Sequence, residues 1–481
     1  MVIDALKYQI LQQFGFVPTE EQGQALDAFA RFLTDRDPHA VMILRGSAGT
    51  GKTSLSGAIV RTLKAIRQKV MLLAPTGRAA KVFSLNSGCP AYTIHRRIYR
   101  EKSFAGVDGQ FNLNDNLFTD TLFMVDEASM ISNLGLGGGN FGSGCLLDDL
   151  VRFVYQGHND RLMLIGDKAQ LPPVGEEESP ALNRMMLEGY GLKVYECDLN
   201  EVLRQSQESG ILYNATVIRQ MITHDDITQL PLIRFKGFAD IVMMPGNELV
   251  ESLANSYYRV GQDETMVITR SNKRANIYNN GIRNMVLDRE DELSCGDMLM
   301  IVKNNYFWTE KERNEVKEAL NAIPPFLANG DRAKVLRVSR HMELYGFRFA
   351  TLLLQFPDYD NYEMSVTALL DTLQSEAPAL THEQQEQLFH GVEEDYQNVP
   401  QKADRMKAIR GDQYFNALQV KYAYAITCHK AQGGQWEHVY VDQGYMTDDM
   451  LTPDYIHWLY TAFTRAKDKL FLVNWPKTQT E

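Results

Sequence analysis

The chain has 481 residues, 44% of them apolar and 23% charged, the balance of a globular protein with core enough for roughly two to four domains. No window approaches the ~18 uninterrupted apolar residues of a membrane span, and the start MVIDALKYQILQQFGF is too polar for a secretory leader, so a cytoplasmic protein with no membrane partner is expected. The net charge of −12 weighs against a nucleic-acid binder, although a local positive groove can act inside an acidic chain, and the five scattered cysteines suggest neither a disulfide framework nor a metal site.

In chain order, apolar runs at 40–45, 70–74, 121–125, 161–165 and 193–196 are short and separated by helical or loop material. That alternation predicts a parallel sheet covered by helices, with ligands at the carboxyl ends of its strands. Segment 98–120 carries Gly-Val-Asp-Gly between two short alternations, which predicts a hairpin, and LGLGGGNFGSG at 134–144 reads as a loop. A second set of strands is predicted at 240–244, 266–269, 419–424, 437–441 and 470–474. Between them, GDMLMIVKNNY, ANGDRAKVLRV and FRFATLLLQF suggest a small β-barrel. The acidic, Gln-rich 357–410 reads as a largely helical, solvated excursion.

Three strand ends carry chemistry. Gly46-Ser47-Ala48-Gly49-Thr50-Gly51-Lys52-Thr53 fits G-x-x-x-x-G-K-[ST] between a strand and a helix. Such a loop turns backbone N–H groups onto phosphate oxygens; Lys52 neutralises them and Thr53 offers a hydroxyl to Mg²⁺. LFMVDEAS ends a strand in Asp126, suited to holding the metal, and Glu127, suited to activating water. LIGDKAQLPPVG ends another, with Gln170 placed to sense a γ-phosphate. Arg204 and Arg465 each follow the last strand or helix of one unit, where a guanidinium could stabilise charge on a transferring phosphoryl group if both faced one cleft.

Taken in order, PTEEQ, GSAGTGKT, APTGRAA, TIHR, VDEAS, GDKAQLPPVG, EVLRQ, AITCHKAQGGQW and YTAFTRAK resemble the motif series of superfamily 1 helicases, and in detail the 1B branch of RecD/Dda-like DNA helicases. The resemblance spans about residues 11–475, and no extra signature of the telomere-associated branch stands between VDEAS and GDKAQ.

The resemblance implies an α/β chain with two RecA-like P-loop domains, an inserted β-hairpin and an inserted SH3-like β-barrel. The expected divisions are 1–97 with 121–205, hairpin 98–120, 206–290 with 415–481, and barrel 291–414. It implies ATP and Mg²⁺ as cofactors, single-stranded and forked duplex DNA as substrates, 5′→3′ unwinding, a monomer, and a setting in DNA repair or recombination with unknown protein partners.

By motif, Gln22 would read adenine, and Gly433 and Gln435 would approach the nucleotide. Thr76, Arg78, His95, Thr269, Asn272, Asn304, Asn305, Thr427, His429 and Lys430 would hold the DNA backbone, with Tyr306 beside them. Their hydroxyl, amide and imidazole groups suit phosphate contact without base reading, and Phe104 or Phe111 in the hairpin could stack on a base. Taken one at a time, each of these residues reads more readily as structural than as a DNA contact. An RNA-directed ATPase, a translocase that leaves duplex intact and a nucleotide-gated binding module are the rival readings.

Overall fold

The structure, a computed structural model, describes residues 2–104, 109–135, 142–201, 208–224, 227–315, 323–324 and 326–481. The first lobe starts with α1 (Val2–Phe14) and α2 (Glu20–Thr34), which pack beside β1 (Ala40–Gly46) and α3 (Lys52–Ala65). Then come β2 (Lys69–Ala74), α4 (Gly77–Ser87), β3 (Ala91–Thr93), α5 (Ile94–Ile98) and the hairpin β4 (Tyr99–Phe104) and β5 (Gly109–Leu113). β6 (Thr121–Val125), α6 (Leu146–Gln156), β7 (Arg161–Gly166), α7 (Arg184–Gly189) and β8 (Lys193–Leu199) complete it.

Its sheet has the order β3-β2-β6-β7-β1-β8, and every pairing is parallel. A sheet covered on both faces needs strands apolar on both sides. β1 meets this by alternation: Met42 and Leu44 enter one core cluster, Val41 and Ile43 the other. β3 is an edge strand too short to register as an apolar run in the sequence.

The second lobe contains α8 (Gly210–Thr223), β9 (Ile241–Met244), α9 (Leu249–Arg259), β10 (Thr265–Thr269) and α10 (Asn272–Gly281). The chain then leaves for the barrel: β11 (Met298–Ile301), α11 (Phe307–Glu315), β12 (Arg332–Leu344), β13 (Phe347–Phe356), β14 (Tyr362–Leu369), α12 (His382–Asp395), α13 (Lys402–Arg410) and β15 (Leu418–Tyr422). It returns through β16 (Ala425–Thr427), α14 (Cys428–Ala431), β17 (Trp436–Asp442), α15 (Pro453–Phe463) and β18 (Ala466–Val473). The second sheet is parallel, in the order β16-β10-β17-β18-β9, and β11 to β15 close a five-stranded barrel. The fold is thus α/β, with two P-loop-type parallel sheets, a hairpin in the first lobe and a barrel in the second. Among the described residues no helix is long and apolar enough to cross a membrane.

Two readings change. The run 419–424 is not one strand of the second sheet: Leu418–Tyr422 closes the barrel and only Ala425–Thr427 pairs with β10. Both pieces are apolar, so composition gave no break between them. Segment 357–410 is not a solvated excursion throughout. Its YEMSVTAL stretch is β14, and α12 and α13 bury Leu388, Phe389, Val392 and Ile409 against Phe347, Phe349 and Leu369 of the barrel. Acidic residues on the outer helix faces hid this inner apolar face. The loop at 134–144 lies largely outside the described residues, as does the hairpin tip.

Candidate nucleotide site and nucleic-acid groove

The P-loop leaves β1 and enters α3 through Gly49 and Gly51, at φ +77° and +79°, values that a side chain would strain. A Cβ on Gly46 would stand 2.7 Å from Lys52 Cγ and 2.9 Å from Thr50 Oγ1, so the turn closes only with glycine there. The Lys52 ammonium folds over the loop and donates to the Gly46 and Ser47 carbonyls. Thr53 stands exposed on the first turn of α3. The loop's peptides and the start of α3 make an anion cradle.

Behind it, Gln22 is 1% exposed and both ends of its amide are engaged. Nε2 donates to the Thr50 carbonyl at 2.9 Å and Oε1 accepts the Thr19 amide at 3.0 Å in a capping box of α2. The residue assigned to adenine therefore braces the P-loop from behind.

Asp126 and Glu127 follow β6, two strands from β1 in the sheet. Glu127 adopts φ +52°, a strained conformation that turns the chain at once, and its amide donates to Asp126 Oδ1 at 2.9 Å. Burial, and next the charge of Glu127, raise the Asp126 carboxyl to about 7, with Lys52 pulling the other way. Two carboxylates crowded against one ammonium form a donor set short of positive charge, which a divalent cation would supply. Gln170 is 6% exposed and its Oε1 has no partner in the described protein; Ser129 Oγ is buried in the same condition.

The second lobe reaches this cleft through one face of α15, where His457, Tyr460 and Thr461 follow the i, i+3, i+4 spacing. His457 Nδ1 donates to the Ala169 carbonyl at 2.9 Å, and Thr461 Oγ1 accepts the Leu171 amide at 2.7 Å. Tyr460 Oη accepts the Ala48 amide of the P-loop at 3.0 Å and donates to Asp167 Oδ2 at 2.7 Å. Gln432 Nε2 donates to the Leu171 carbonyl at 2.7 Å. From α8, Arg219 donates to Ser47 Oγ and lines a cavity of about 480 Å³ with Gly46, Asp167 and His457. Segment 167–171 is thus clasped by four side chains of the opposite lobe.

Arg465 is 3% exposed, but its guanidinium donates to the Thr461 and Gly434 carbonyls and the Thr464 hydroxyl, all within its own lobe. Arg204 lies outside the described residues. Among the described residues, Arg219 meets the P-loop at Ser47, and no sequence motif marked it.

A second groove, of about 360 Å³, runs where α4, α5, α14 and the barrel meet. Thr76, Arg78, His95, Asn304, His429 and Lys430 all line it, six of the ten residues assigned to DNA. Thr76 also caps α4, accepting the Ala79 amide at 3.2 Å. His95 lines both this groove and an adjoining one shared with Phe111, Asn305 and Tyr306; burial pulls its imidazole down to about 4, so it is neutral near pH 7. Burial, then Lys421, lowers Lys430 to about 8, and burial lowers His429. Phe111 of the hairpin and Phe326 flank the Tyr306 ring, at 6.0 and 4.9 Å between centroids.

Several assignments move. Thr269 is fully buried at the end of the central strand β10 and donates to the Ser271 and Ile426 carbonyls, so it does not face the groove. Asn272 donates to the Glu376 carbonyl at 3.2 Å and fastens the barrel's return loop. Asn305 lines the adjoining groove, but its amide bonds the Asn416 carbonyl and the Trp308 amide. Thr427 is half-buried at the N-cap of α14. Gly433 and Gln435 sit against the APTGRAA turn. A Cβ on Gly433 would meet Ala79 Cβ at 3.0 Å, the Gln435 carbonyl accepts from Arg78 at 3.1 Å, and Arg78 stacks on Trp436 at 4.4 Å. The close approach that demands glycine at 433 is to α4. The side chain of Phe104 is outside the described set.

Residues 19–227 match the family described as AAA domain, and residues 422–473 the UvrD-like helicase C-terminal domain. The chain is 31% identical over 157 residues to the ATP-dependent RecD2 DNA helicase of Deinococcus radiodurans and 33% over 171 residues to an uncharacterized protein of Methanocaldococcus jannaschii. These alignments take in 32% and 33% of this chain, and they span only 18% and 14% of those proteins' lengths. An uncharacterized protein of Acanthamoeba polyphaga mimivirus is 22% identical across 91% of this chain and 96% of its own length. Among solved structures, a Bacteroides Pif1 helicase in complex with ADP-AlF3 and ssDNA aligns over 96% of this chain and 94% of its own, at 14% identity and a TM-score of 0.47. In order along the chain, the matches are thus to a P-loop domain of AAA type and then to a UvrD-like helicase C-terminal domain. Over about a third of its length the chain is similar to a RecD-type helicase.

Proposed function

We propose that the protein is an ATP-dependent DNA helicase that moves 5′→3′ on single-stranded DNA and separates forked duplex. The observation that carries this reading is one continuous contact set between cleft and groove. His429, Lys430 and Gln432 line the groove, Gln432 bonds Leu171, and the 167–171 segment bonds Tyr460, which bonds the P-loop. A motor needs such a link, because hydrolysis at one site must change grip at the other.

The residue chemistry fits Mg²⁺–ATP: the cradle of Gly46 to Thr53 would hold the phosphates, and Thr53 with Asp126 the metal, which when bound neutralises charge on the phosphates. Glu127 orients and deprotonates the attacking water, and Lys52 leaves the loop carbonyls to pair with phosphate. Gln170, whose Oε1 has no partner among the described residues, is assigned to the γ-phosphate by motif. Arg219 enters from α8, and Arg465 joins by leaving its own carbonyls when the lobes shift; Arg204 is assigned by motif alone. In the groove, Thr76, Arg78, Asn304 and Lys430 supply hydroxyl, guanidinium, amide and ammonium groups, which hold a phosphate backbone without reading bases. The hairpin, with Phe111 against Tyr306, stands where an unwound strand would pass.

Phosphate release is the direct test, with poly-dT, poly-U and no polymer compared. ATPase activity raised by poly-dT but not by poly-U supports the reading; stimulation by poly-U alone would replace it with an RNA-directed ATPase, and no turnover with a binding module.

A further inference from the structure

Tyr460 opens the YTAFTRAK motif and links the P-loop to the 167–171 segment, yet no role assigned to that motif explains why the link is a phenol hydroxyl. It is 1% exposed, on a helix buried on nearly every side, yet its hydroxyl lies at the junction of three segments from two lobes. It accepts the backbone N–H of Ala48 and donates to Asp167, whose other oxygen accepts the Ala169 amide at 3.0 Å. Ala48 belongs to the P-loop, a segment whose amides serve phosphate oxygens. An anion arriving in the cradle therefore competes with a phenol oxygen for a donor, and the phenol is fixed to the second lobe. The same helix bonds the groove: the Cys428 thiol donates to the Trp458 carbonyl at 3.6 Å, and His429 and Lys430 follow in chain order.

Resting on the ATPase reading, we propose that Tyr460 is the positioning residue through which occupancy of the P-loop is reported to the nucleic-acid groove. When phosphate takes the Ala48 amide, the hydroxyl keeps only Asp167 as its partner. Helix α15 then follows the 167–171 segment rather than the P-loop, and it carries α14 and its groove residues along. Without nucleotide, the same hydroxyl ties α15 to the P-loop directly. The hydroxyl is a switch between two anchors, and its ring merely fills space.

Tyr460→Phe separates these roles, because it keeps the ring and removes the two bonds. The measurement is the affinity of a fluorescent dT oligonucleotide, by anisotropy, with and without a non-hydrolysable ATP analogue. The ratio of the two Kd values is the coupling factor, which for allosteric proteins is about 5- to 150-fold. The wild type is expected in that range, and Tyr460→Phe is expected to bring the ratio to about one while each ligand still binds. Asp167→Asn, which takes the charge from the hydroxyl's acceptor, is expected to lower the ratio in the same direction, and melting curves for both variants report folding. A purely structural tyrosine would lower stability and leave the ratio alone, and a wild-type ratio in Tyr460→Phe would overturn the proposal. A wild-type protein that hydrolyses no ATP would instead overturn the ATPase reading on which it rests.

Discussion

Asp297 is the residue whose loss the structure penalises most clearly. It is fully buried before β11, where the barrel springs from the second lobe, and five donors converge on it. Arg283 binds it twice at 3.0 Å, Arg289 at 2.8 Å, the Tyr424 hydroxyl at 2.9 Å and the Ser294 amide at 2.7 Å. Asp297→Asn keeps the shape and removes the charge, leaving two guanidinium groups, one of them buried, without a counter-ion. Breaking a buried pair from one side costs about 3–5 kcal/mol, against a total stability of about 5–15 kcal/mol for a domain. Urea unfolding followed by tryptophan fluorescence is suited to this unit, because Trp308, Trp436, Trp458 and Trp475 all lie in the second lobe and barrel. At about 3 kcal/mol per molar urea, the midpoint should fall by about 1 M or more. Arg348→Gln is the contrast: its bridges to Glu292 and Asp371 are exposed and worth below about 1 kcal/mol. Equal midpoint shifts for the two variants would refute the argument that burial sets the cost. Asn304 follows β11 by three residues, so Asp297→Asn should also weaken binding of single-stranded DNA.

Lys52→Ala should lower ATP turnover by at least about a hundredfold in a phosphate-release assay, with DNA binding retained. Gly433→Ala forces a side chain to φ +72° and sets its Cβ 3.0 Å from Ala79, so the Kd for single-stranded DNA should rise about five- to tenfold by anisotropy. Asp331 is 1% exposed, and its carboxyl is raised from 3.8 to about 7, chiefly by burial. A carboxyl raised on folding favours the folded state while protonated; its contribution is full below about 3.8 and is lost as pH rises through about 7, at most about 4 kcal/mol. Melting curves between pH 5 and 8 should therefore show a falling stability that flattens in Asp331→Asn.

In the first lobe β1, β6 and β7 were legible because they are buried apolar runs that end in motif residues. β1, β6 and β7 emerged within a residue of their predicted bounds for that reason. β14 and the inner face of α12 were not, since they lie in a stretch whose acidic and Gln-rich residues dominate its composition. In the site, Thr76, Arg78, His95, His429 and Lys430 could be read from motifs because their types suit phosphate contact. Thr269 misled because a threonine in the same kind of motif can equally end a buried central strand. Tyr460 and Gln432 lie inside quoted motifs but, like Arg219 outside them, received no role, because nothing local distinguishes a side chain that bonds across lobes. The i, i+3, i+4 face of His457, Tyr460 and Thr461 was the one available signal, and an apolar helix masks it.

The central claim is that nucleotide hydrolysis drives directed movement along one strand. It is tested most directly by unwinding forks that carry a single-stranded tail on only the 5′ or only the 3′ side, with and without ATP. With ATP, the 5′-tailed fork should come apart and the 3′-tailed fork should stay intact. Separation of the 3′-tailed fork alone, or of both without ATP, would contradict it.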